Sequence, residues 1–249
     1  MTNLNYREQE KIWFQYVEKN DIEMIKSCIK EGFDVNLQNK DGETALMIFA
    51  QQGNNEVVEL LINAGAKLNI TDEYGDTALI KTIEKFHLDT LKLLVERGAN
   101  IHQENESHDS PLMVACEVCN AQAGQYLLNK GANYQHTNTC DETAIIKAAQ
   151  HGAFINLTDL ILAGADINSQ DARGKTALMH AIEQGYNKVV DILLLHKANT
   201  DIQNNQHKTA RQIAYQCKNK TALNLFAIHK PNLKDVFKVL FFGYQRQRD

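Results

Sequence analysis

Two cysteines separated by two residues, Cys116 and Cys119, have the spacing of a redox motif or of half a zinc site. A zinc site would need a second pair of ligands, and the redox motif would need a strand-to-helix junction in front of the first cysteine. No second pair lies at zinc-ligand spacing. We therefore expect no metal site. The odd number of cysteines, five, in a chain whose first residues do not resemble a signal peptide indicates reduced thiols.

The other residues that can do chemistry do not form a set. Nine histidines are spread along the chain, and no arrangement of Ser, His and Asp or of Cys and His recurs at a spacing that would bring its members together. Gly174-Lys175-Thr176 looks like the end of a phosphate-binding loop, but it lacks the first glycine and the preceding strand of that motif. We expect no catalytic residue and no cofactor, and hence a protein that is not an enzyme.

The elements that carry these residues repeat with a period of 33 residues. A Thr-Ala-Leu tripeptide or a close variant marks each unit, and a glycine or lysine followed by Ala or Phe marks it a second time in the same register. A period of this size is typical of solenoids built from stacked supersecondary units. The tripeptides begin at Thr44, Thr77, Ser110, Thr143, Thr176 and Thr209.

One unit, 41–73, shows what each repeat must form. Thr44 is placed to cap a short helix over 45–52, Gly53 can end that helix in the left-handed conformation, and a second helix follows over about 56–64. An extended loop then returns to the next turn. Both helices are too short to be stable alone, so each unit buries its apolar side only against its neighbours.

The pattern Asp-Gly-x-Thr-Ala-Leu, then Ala-x-x-Gly, then Val-Val-x-x-Leu-Leu-x-x-Gly-Ala in residues 41–66, echoed in 174–198, resembles the ankyrin repeat. The resemblance covers about residues 8–230. It implies an all-α solenoid of stacked helix-turn-helix units with projecting hairpin loops, or fingers, and a binding surface along the concave face. It also implies a role in protein–protein recognition, without naming the partner.

The period divides the chain into an ankyrin-repeat array and a short C-terminal segment. We expect the array to occupy 1–230, with an N-terminal cap at about 8–40, full repeats at about 41–205 and a degenerate last repeat at 206–230. Residues 231–249 then form a capping helix, over 232–242, and a basic tail. Because Phe237, Phe241 and Phe242 alternate there with lysines, the alternative is a helix that docks on a membrane surface or a partner.

Two departures from the family pattern bear on rigidity. The family's polar histidine after Thr-Pro-Leu is replaced by residues such as Met47 and Ile80, which predicts apolar packing in place of a polar network between repeats. The helix-ending glycine is replaced by Phe86, Cys119 and Lys218, and a side chain in a left-handed turn costs on the order of 1 kcal/mol. We expect the array to open or bend most easily at Phe86 and Cys119.

The resemblance also assigns the partner-binding surface to the fingers and to the exposed positions of the first helix of each repeat. Tyr74, an aromatic residue flanked by acids near a finger tip, is the best candidate for a dominant contact. The predicted partner-binding residues are Asp41, Glu43, Gln51, Gln52, Glu73, Tyr74, Asp76, Glu84, Lys85, Glu106, Asp109, Glu117, Glu142, His151, Arg173 and Lys175.

Charge is uneven along this surface and suggests what binds there. Four N-terminal loops carry a combined net charge of −9, whereas the two that follow are neutral; the acidic loops are 34–43, 67–76, 100–109 and 133–142, and the neutral ones are 166–175 and 199–208. We expect a protein or peptide partner with a basic surface. The net charge of −5 for the whole chain gives no general attraction to nucleic acid.

The function that we predict is a non-catalytic interaction module, acting as an adaptor, scaffold or inhibitor. The alternative is a membrane-associated scaffold held by the Phe- and Lys-rich C-terminal segment 232–249. No apolar run reaches the about 18 to 20 residues that cross a bilayer. We expect a cytoplasmic monomer, or one delivered into a host cytosol if the protein is a secreted effector.

Overall fold

The computed structural model describes residues 6–229, which form fourteen α-helices arranged as seven consecutive pairs. The predicted terminal helix over 232–242 and the tail up to residue 249 lie outside the described residues. The pairs are α1 (Tyr6–Glu18) with α2 (Ile22–Lys30), α3 (Ala45–Gln52) with α4 (Asn55–Asn63), α5 (Ala78–Glu84) with α6 (Leu88–Glu96), α7 (Pro111–Glu117) with α8 (Ala121–Asn129), α9 (Ala144–His151) with α10 (Phe154–Ala163), α11 (Ala177–Gln184) with α12 (Asn187–Leu195), and α13 (Ala210–Gln216) with α14 (Lys220–Ile228).

The odd-numbered helices contact one another more extensively than the even-numbered helices do, so the stack curves toward the odd-numbered side. We call the odd-numbered helices inner and the even-numbered helices outer. Each pair packs on the next, and the spine is continuous because the same repeat position is buried in each repeat from α3–α4 to α13–α14. One such set on the outer helices is Leu61, Leu94, Leu127, Leu160, Leu193 and Phe226.

The inner helices begin at the repeated Thr or Ser, as the tripeptide predicts. The Thr44 hydroxyl accepts a hydrogen bond from the backbone N–H of Met47 at 3.3 Å, and the Met47 sulfur accepts one from the Thr44 N–H at 3.4 Å. Thr143 differs, since its hydroxyl lies 3.0 Å from that of Ser169 and caps no helix. A side-chain cap satisfies backbone groups that a helix this short would otherwise leave exposed.

The turns between inner and outer helices all pass through the left-handed conformation at one position. Gly53 has φ of 71°, and Phe86, Cys119 and Lys218 keep the same conformation with φ of 63°, 57° and 53°. The three substitutions therefore leave the turn geometry intact and place a Cβ where it is strained.

Each finger is organised by one Asn or Asp whose side-chain oxygen accepts two backbone N–H groups. Asp72, for example, accepts from Tyr74 and from Asp76, both at 2.9 Å. A second asparagine, seen in Asn36, Asn69 and Asn168, accepts a backbone N–H of the following repeat at 2.7 to 2.9 Å. The fingers are therefore held by hydrogen bonds within themselves and tied to their neighbours.

Candidate partner-binding surface

The finger tips form an exposed row that runs along the array. Asp41, Glu73, Tyr74, Glu106 and Arg173 are all exposed, and 69% of Tyr74 is accessible to solvent. We call these five residues the finger-tip row. Its first members are acidic and its last, Arg173, is basic; the sequence predicts acidic N-terminal loops followed by neutral ones.

Backbone hydrogen bonds between successive fingers hold this row in register. The Glu106 N–H donates to the Tyr74 carbonyl at 3.0 Å, and the Ala172 N–H donates to the Cys140 carbonyl at 2.9 Å. A longer bond of 3.3 Å joins Glu73 to Asp41 in the same way. The row is thus preorganised, which lowers the entropic cost of binding a partner.

Below the tips, a buried lysine links the finger to the inner helix in the α5–α6 repeat. The Lys81 Nζ lies 2.6 Å from an oxygen of Asp72 and 3.4 Å from one of Asp76, and the lysine side chain is only 10% exposed. Asn105 of the next finger also donates to Asp76, at 3.4 Å. We call Asp72, Asp76 and Lys81 the first lysine cluster.

A second lysine cluster occurs two repeats further on. The Lys147 Nζ lies 3.1 Å from Asp109 and 2.7 Å from Glu117, and both carboxylates belong to the preceding repeat. Asn138 donates to Asp109 at 2.8 Å and to Glu142 at 2.9 Å, which extends the network along the fingers. This cluster therefore connects two repeats through polar contacts.

In the α11–α12 repeat, nearer the C-terminus, each acidic group is paired with one basic group. The His180 Nε2 lies 2.8 Å from Asp171, and the Lys175 Nζ lies 2.7 Å from Glu183. Acids do not outnumber basic groups here, so the floor of the concave face is acidic only over its N-terminal part.

These clusters correct the prediction that apolar packing replaces the polar network. Met47, Ile80 and Met113 are buried as expected, but the polar link is rebuilt one position later in three repeats, at Lys81, Lys147 and His180. The missed signal is a charged or polar residue at one fixed position within otherwise apolar inner helices. Asp76 and Asp109 are 8% and 5% exposed, so these two predicted partner contacts instead serve the buried ion pairs.

The first lysine cluster leaves negative charge uncompensated. Burial raises the pKa of Asp76, and repulsion from Asp72 adds to the effect. Burial and then repulsion from Asp76 likewise raise the pKa of Glu84, which is half-buried on the same inner helix. Three carboxylates thus lie around Lys81, and of these Glu84 is the one that reaches the surface.

The remaining predicted contacts lie on either side of the groove and differ in accessibility. Exposed are Gln52, Lys85 and His151, whereas half-buried are Glu43, Gln51, Glu84, Glu117, Glu142 and Lys175. Four of the half-buried residues are bonded within the array: Glu43 to Asn39, Glu117 to Lys147, Glu142 to Gln150 and Lys175 to Glu183. Only part of the predicted set is therefore accessible to a partner.

The cysteine pair occupies the structural positions that its place in the repeat predicts. Cys116 is fully buried in α7, Cys119 forms the turn after it, and burial raises the pKa of both thiols. Raised thiol pKa values disfavour the reactive thiolate. Among residues 6–229, no group of three or more His, Cys, Asp and Glu side chains is placed to hold a metal ion.

Two further exposed apolar features lie outside the predicted set. Phe86 is 58% exposed in the turn after α5. Leu162, Leu195 and Ile228 occupy the same position in the last turn of three successive outer helices, and all three are exposed. We call these three residues the outer aliphatic row. No helix within the described part of the chain is long and apolar enough to cross a membrane.

The comparisons with known proteins agree with this architecture. The crystal structure of the ankyrin repeat domain of Bcl-3, described as a unique member of the IkappaB protein family, matches with a TM-score of 0.75 and 21% identity. The match covers 87% of this chain and 97% of the Bcl-3 chain. No curated protein sequence matches significantly. The family model for ankyrin repeats (3 copies) matches residues 13–105, 87–157 and 145–240, and the chain therefore belongs to the ankyrin repeat family, whose members serve as protein-interaction modules.

Proposed function

We propose that this protein is a non-catalytic adaptor, scaffold or inhibitor that binds a basic surface of another protein through the N-terminal part of its concave face. The finger-tip row carries the proposal, because Asp41, Glu73 and Glu106 are exposed side by side on fingers held in register by backbone hydrogen bonds. Interfaces of this kind gain specificity and association rate from complementary charge.

The floor of the groove supports the same partner chemistry. Asp72 and Asp76 hold Lys81 below the surface, and the half-buried Glu84 on the same inner helix as Lys81 is the floor carboxylate that a lysine or arginine side chain from a partner can reach. Toward the C-terminus, Arg173 at the finger tip and the Lys175–Glu183 pair remove this attraction. The basic part of the partner is therefore directed to the α3–α8 half of the array.

The test compares two variants with equal change in charge. In the first, Asp41→Asn, Glu73→Gln and Glu106→Gln neutralise the finger-tip row. In the second, Glu31→Gln, Glu56→Gln and Glu96→Gln neutralise three exposed acids, two on outer helices and Glu31 directly after one. Binding of a fluorescent Lys/Ser-rich peptide is measured by anisotropy for the wild type and both variants at several salt concentrations.

We expect the finger-tip variant to bind about tenfold more weakly and with a smaller salt dependence, and the outer-helix variant to bind like the wild type. Equal weakening in both variants would mean that only net charge matters and would contradict a specific site. Captures from cell extract with the same three proteins then identify the partners that depend on the finger-tip row.

A second candidate function, association with a membrane surface, is favoured by the outer aliphatic row. Leu162, Leu195 and Ile228 are exposed on the last three outer helices, which precede the Phe- and Lys-rich segment 232–249 in the chain. Lys188, Lys197 and Lys220 are exposed on the same part of the array. Apolar groups beside basic ones suit an anionic bilayer.

Liposome co-sedimentation tests this candidate with the full chain. A variant with Leu162→Ser, Leu195→Ser and Ile228→Ser and a chain ending at residue 231 are compared with the wild type on vesicles with and without anionic lipid. Failure of the wild type to sediment with anionic vesicles would exclude the second candidate.

For the compartment, we propose the cytosol. Cys119, Cys140 and Cys217 are exposed free cysteines, and exposed thiols are best kept in a reducing environment. A monomer remains our expectation, and the mass measured by light scattering at several concentrations checks it.

A further inference from the structure

Two exposed aromatic residues belong to a single repeat, and they lie at opposite ends of its inner helix. Tyr74 precedes α5 and is 69% exposed, and Phe86 follows α5 and is 58% exposed. Helix α5 has seven residues and is thus about 10 Å long. Residues 75–77 and 85 add to this separation, and an extended segment of about ten residues is long enough to span it.

The fold gains little from the ring of Phe86. Its backbone has φ of 63°, a conformation that is rare and strained for a bulky residue. The adjacent His87, not Phe86, packs against the preceding turn, where its ring lies over Gly53. The ring therefore recovers little of the free energy that the strained backbone costs, and most of its surface is left available to a partner.

Tyr74 is likewise not used in packing. The backbone of Tyr74 makes the finger contacts, since its N–H donates to Asp72 and its carbonyl accepts from Glu106. The side chain is left to solvent at the tip. Tyrosine is among the residues that most often dominate the energy of an interface.

The groups between the two rings are mainly acidic. Two carboxylates reach the surface, the exposed Glu73 and the half-buried Glu84, and the exposed Lys85 lies beside Glu84 in the chain. Below them the buried carboxylates of Asp72 and Asp76 exceed the charge of their counter-ion Lys81 by one. Only the two ends of the surface are apolar, and its middle attracts a cation.

From this arrangement we infer that the α5–α6 repeat is the centre of the partner site and that it recognises a protein segment combining apolar with basic side chains. The apolar side chains of that segment contact Tyr74 and Phe86, and a lysine or arginine lies over the carboxylates between them. This inference rests on the proposed function and sharpens it, because a purely basic segment would use the acids but neither ring.

The test uses three fluorescent peptides of about 16 residues, a Leu/Lys peptide, a Lys/Ser peptide of equal charge and a Leu/Glu peptide. Their dissociation constants are measured by anisotropy for the wild type and for Tyr74→Ala, Phe86→Gly and Cys119→Gly. Phe86→Gly also relieves the backbone strain, so its thermal midpoint should not fall and any loss of binding cannot come from unfolding. Cys119→Gly makes the same backbone change in the next repeat and removes no aromatic ring.

We expect the wild type to bind the Leu/Lys peptide about tenfold more tightly than the Lys/Ser peptide and to bind the Leu/Glu peptide weakly. Tyr74→Ala and Phe86→Gly should each raise the dissociation constant of the Leu/Lys peptide by about tenfold and leave that of the Lys/Ser peptide unchanged. Cys119→Gly should change neither.

The outcomes separate the two proposals. Equal affinity for the two basic peptides, unaffected by Tyr74→Ala and Phe86→Gly, would overturn the aromatic site and leave the basic-partner function standing. No binding of either basic peptide would overturn both. Preferential binding of the Leu/Glu peptide would show an apolar site without selection for basic residues and would also overturn this inference.

Discussion

Lys81 and Lys147 lie four residues after the Thr that begins the tripeptide of their repeats, a position that other repeats fill with Ile48, Val114 or Ile213. A lysine is tolerated there only because two carboxylates face each of them. Removing one partner of a buried ion pair leaves a desolvated charge, which costs far more than the pair itself contributes. These two lysines are therefore the residues at which a single substitution affects the array most.

We predict that Lys81→Ile lowers the free energy of unfolding by about 3–5 kcal/mol, because Asp72 and Asp76 lose their counter-ion in a buried site. Urea denaturation measures the change. The double variant Lys81→Ile with Asp72→Asn recreates the combination that Ile48 and Asn39 form in the preceding repeat, and it should recover most of the loss. If Lys81→Ile alone is neutral, the buried pair is not required for folding.

The same lysines predict how stability varies at alkaline pH. Burial by itself would lower the pKa of Lys81, but the hydrogen bond to Asp72 and attraction by Asp76 outweigh it and raise the pKa above the ordinary 10.5. The pKa of Lys147 is raised in the same way: burial would lower it, and chiefly the hydrogen bond to Glu117 outweighs that effect. Each lysine binds its proton more tightly in the folded protein, so its contribution is complete below pH 10.5 and is lost as the pH rises through the higher folded value.

We therefore expect the wild type to lose stability above about pH 10.5 more steeply than the Lys81→Ile, Asp72→Asn variant does. Thermal unfolding followed by circular dichroism between pH 8 and pH 11.5, with both proteins in the same buffers, gives the comparison. Parallel curves would show that other titrating groups control alkaline unfolding.

Phe86 provides a stability prediction of the opposite sign. A φ of 63° costs a residue with a Cβ about 1–2 kcal/mol of stability. Glycine removes this strain, but its greater freedom in the unfolded chain cancels about 0.5–1 kcal/mol of the gain. We expect Phe86→Gly to raise the free energy of unfolding by about 0.5–1 kcal/mol. Lys85→Gly, at the adjacent residue with φ of −98°, should lower it instead.

At the scale of the element, the turns between inner and outer helices follow a pairing rule across neighbouring repeats. At Gly53 and Gly152, the N-cap residue of the outer helix in the next repeat carries a ring that lies over the glycine. These N-cap residues are His87 and Tyr186. At Phe86 and Cys119, the N-cap residue of the outer helix in the next repeat carries no ring. These N-cap residues are Asn120 and Ala153. A ring and a side chain at the facing position would occupy the same space.

Two glycine substitutions separate strain from this steric contact. Gly185→Ala has open space around the new Cβ and should cost only the strain of φ at 77°, about 1–2 kcal/mol. Gly152→Ala adds a Cβ within 2.8 Å of the Tyr186 ring, and we expect it to cost about 1–3 kcal/mol more. A double-mutant cycle with Tyr186→Asn measures the coupling, which should be near zero if the ring does not occupy this space.

At the scale of the whole molecule, the stability of an array depends on the stability of each repeat and on its contacts with two neighbours. Phe86 and Cys119 place strained turns in adjacent repeats, α5–α6 and α7–α8. The lysine clusters act in the opposite direction, since Asn105 and Lys147 tie these repeats to their neighbours by polar contacts. The strain therefore concentrates in the turns and leaves the finger side rigid.

Hydrogen exchange should show this asymmetry. We expect backbone amides of α6 and α8 next to the strained turns to exchange about tenfold faster than those of α10 and α12, and the difference to shrink in the Phe86→Gly, Cys119→Gly variant. Equal protection across the four outer helices would contradict a weak region in the middle of the array.

The part of the site that could be predicted was the part set by position within the repeat. The finger tips Asp41, Glu73 and Tyr74 are exposed as expected, because hairpin tips have no neighbour to bury them. Asp76 and Asp109 were placed on the same surface by the same reasoning, yet they point inward toward lysines that lie 5 and 38 residues further along the chain. Spacing within one repeat does not reveal which side chain of a neighbouring helix will face a carboxylate.

By itself, the sequence determined the array: a period of 33 residues with capping Thr, turn glycines and apolar positions recurring in phase specifies a helical pair that must stack on its copies. Only the tertiary structure decided how the charged residues divide between the interior and the surface. Local periodicity fixes the direction of the backbone, whereas the neutralisation of Asp76 and Asp109, and the exposure of Phe86 and Tyr74, depend on atoms brought together by stacking. Some acids of the acidic loops are thus buried in the lysine clusters, and others are exposed in the finger-tip row.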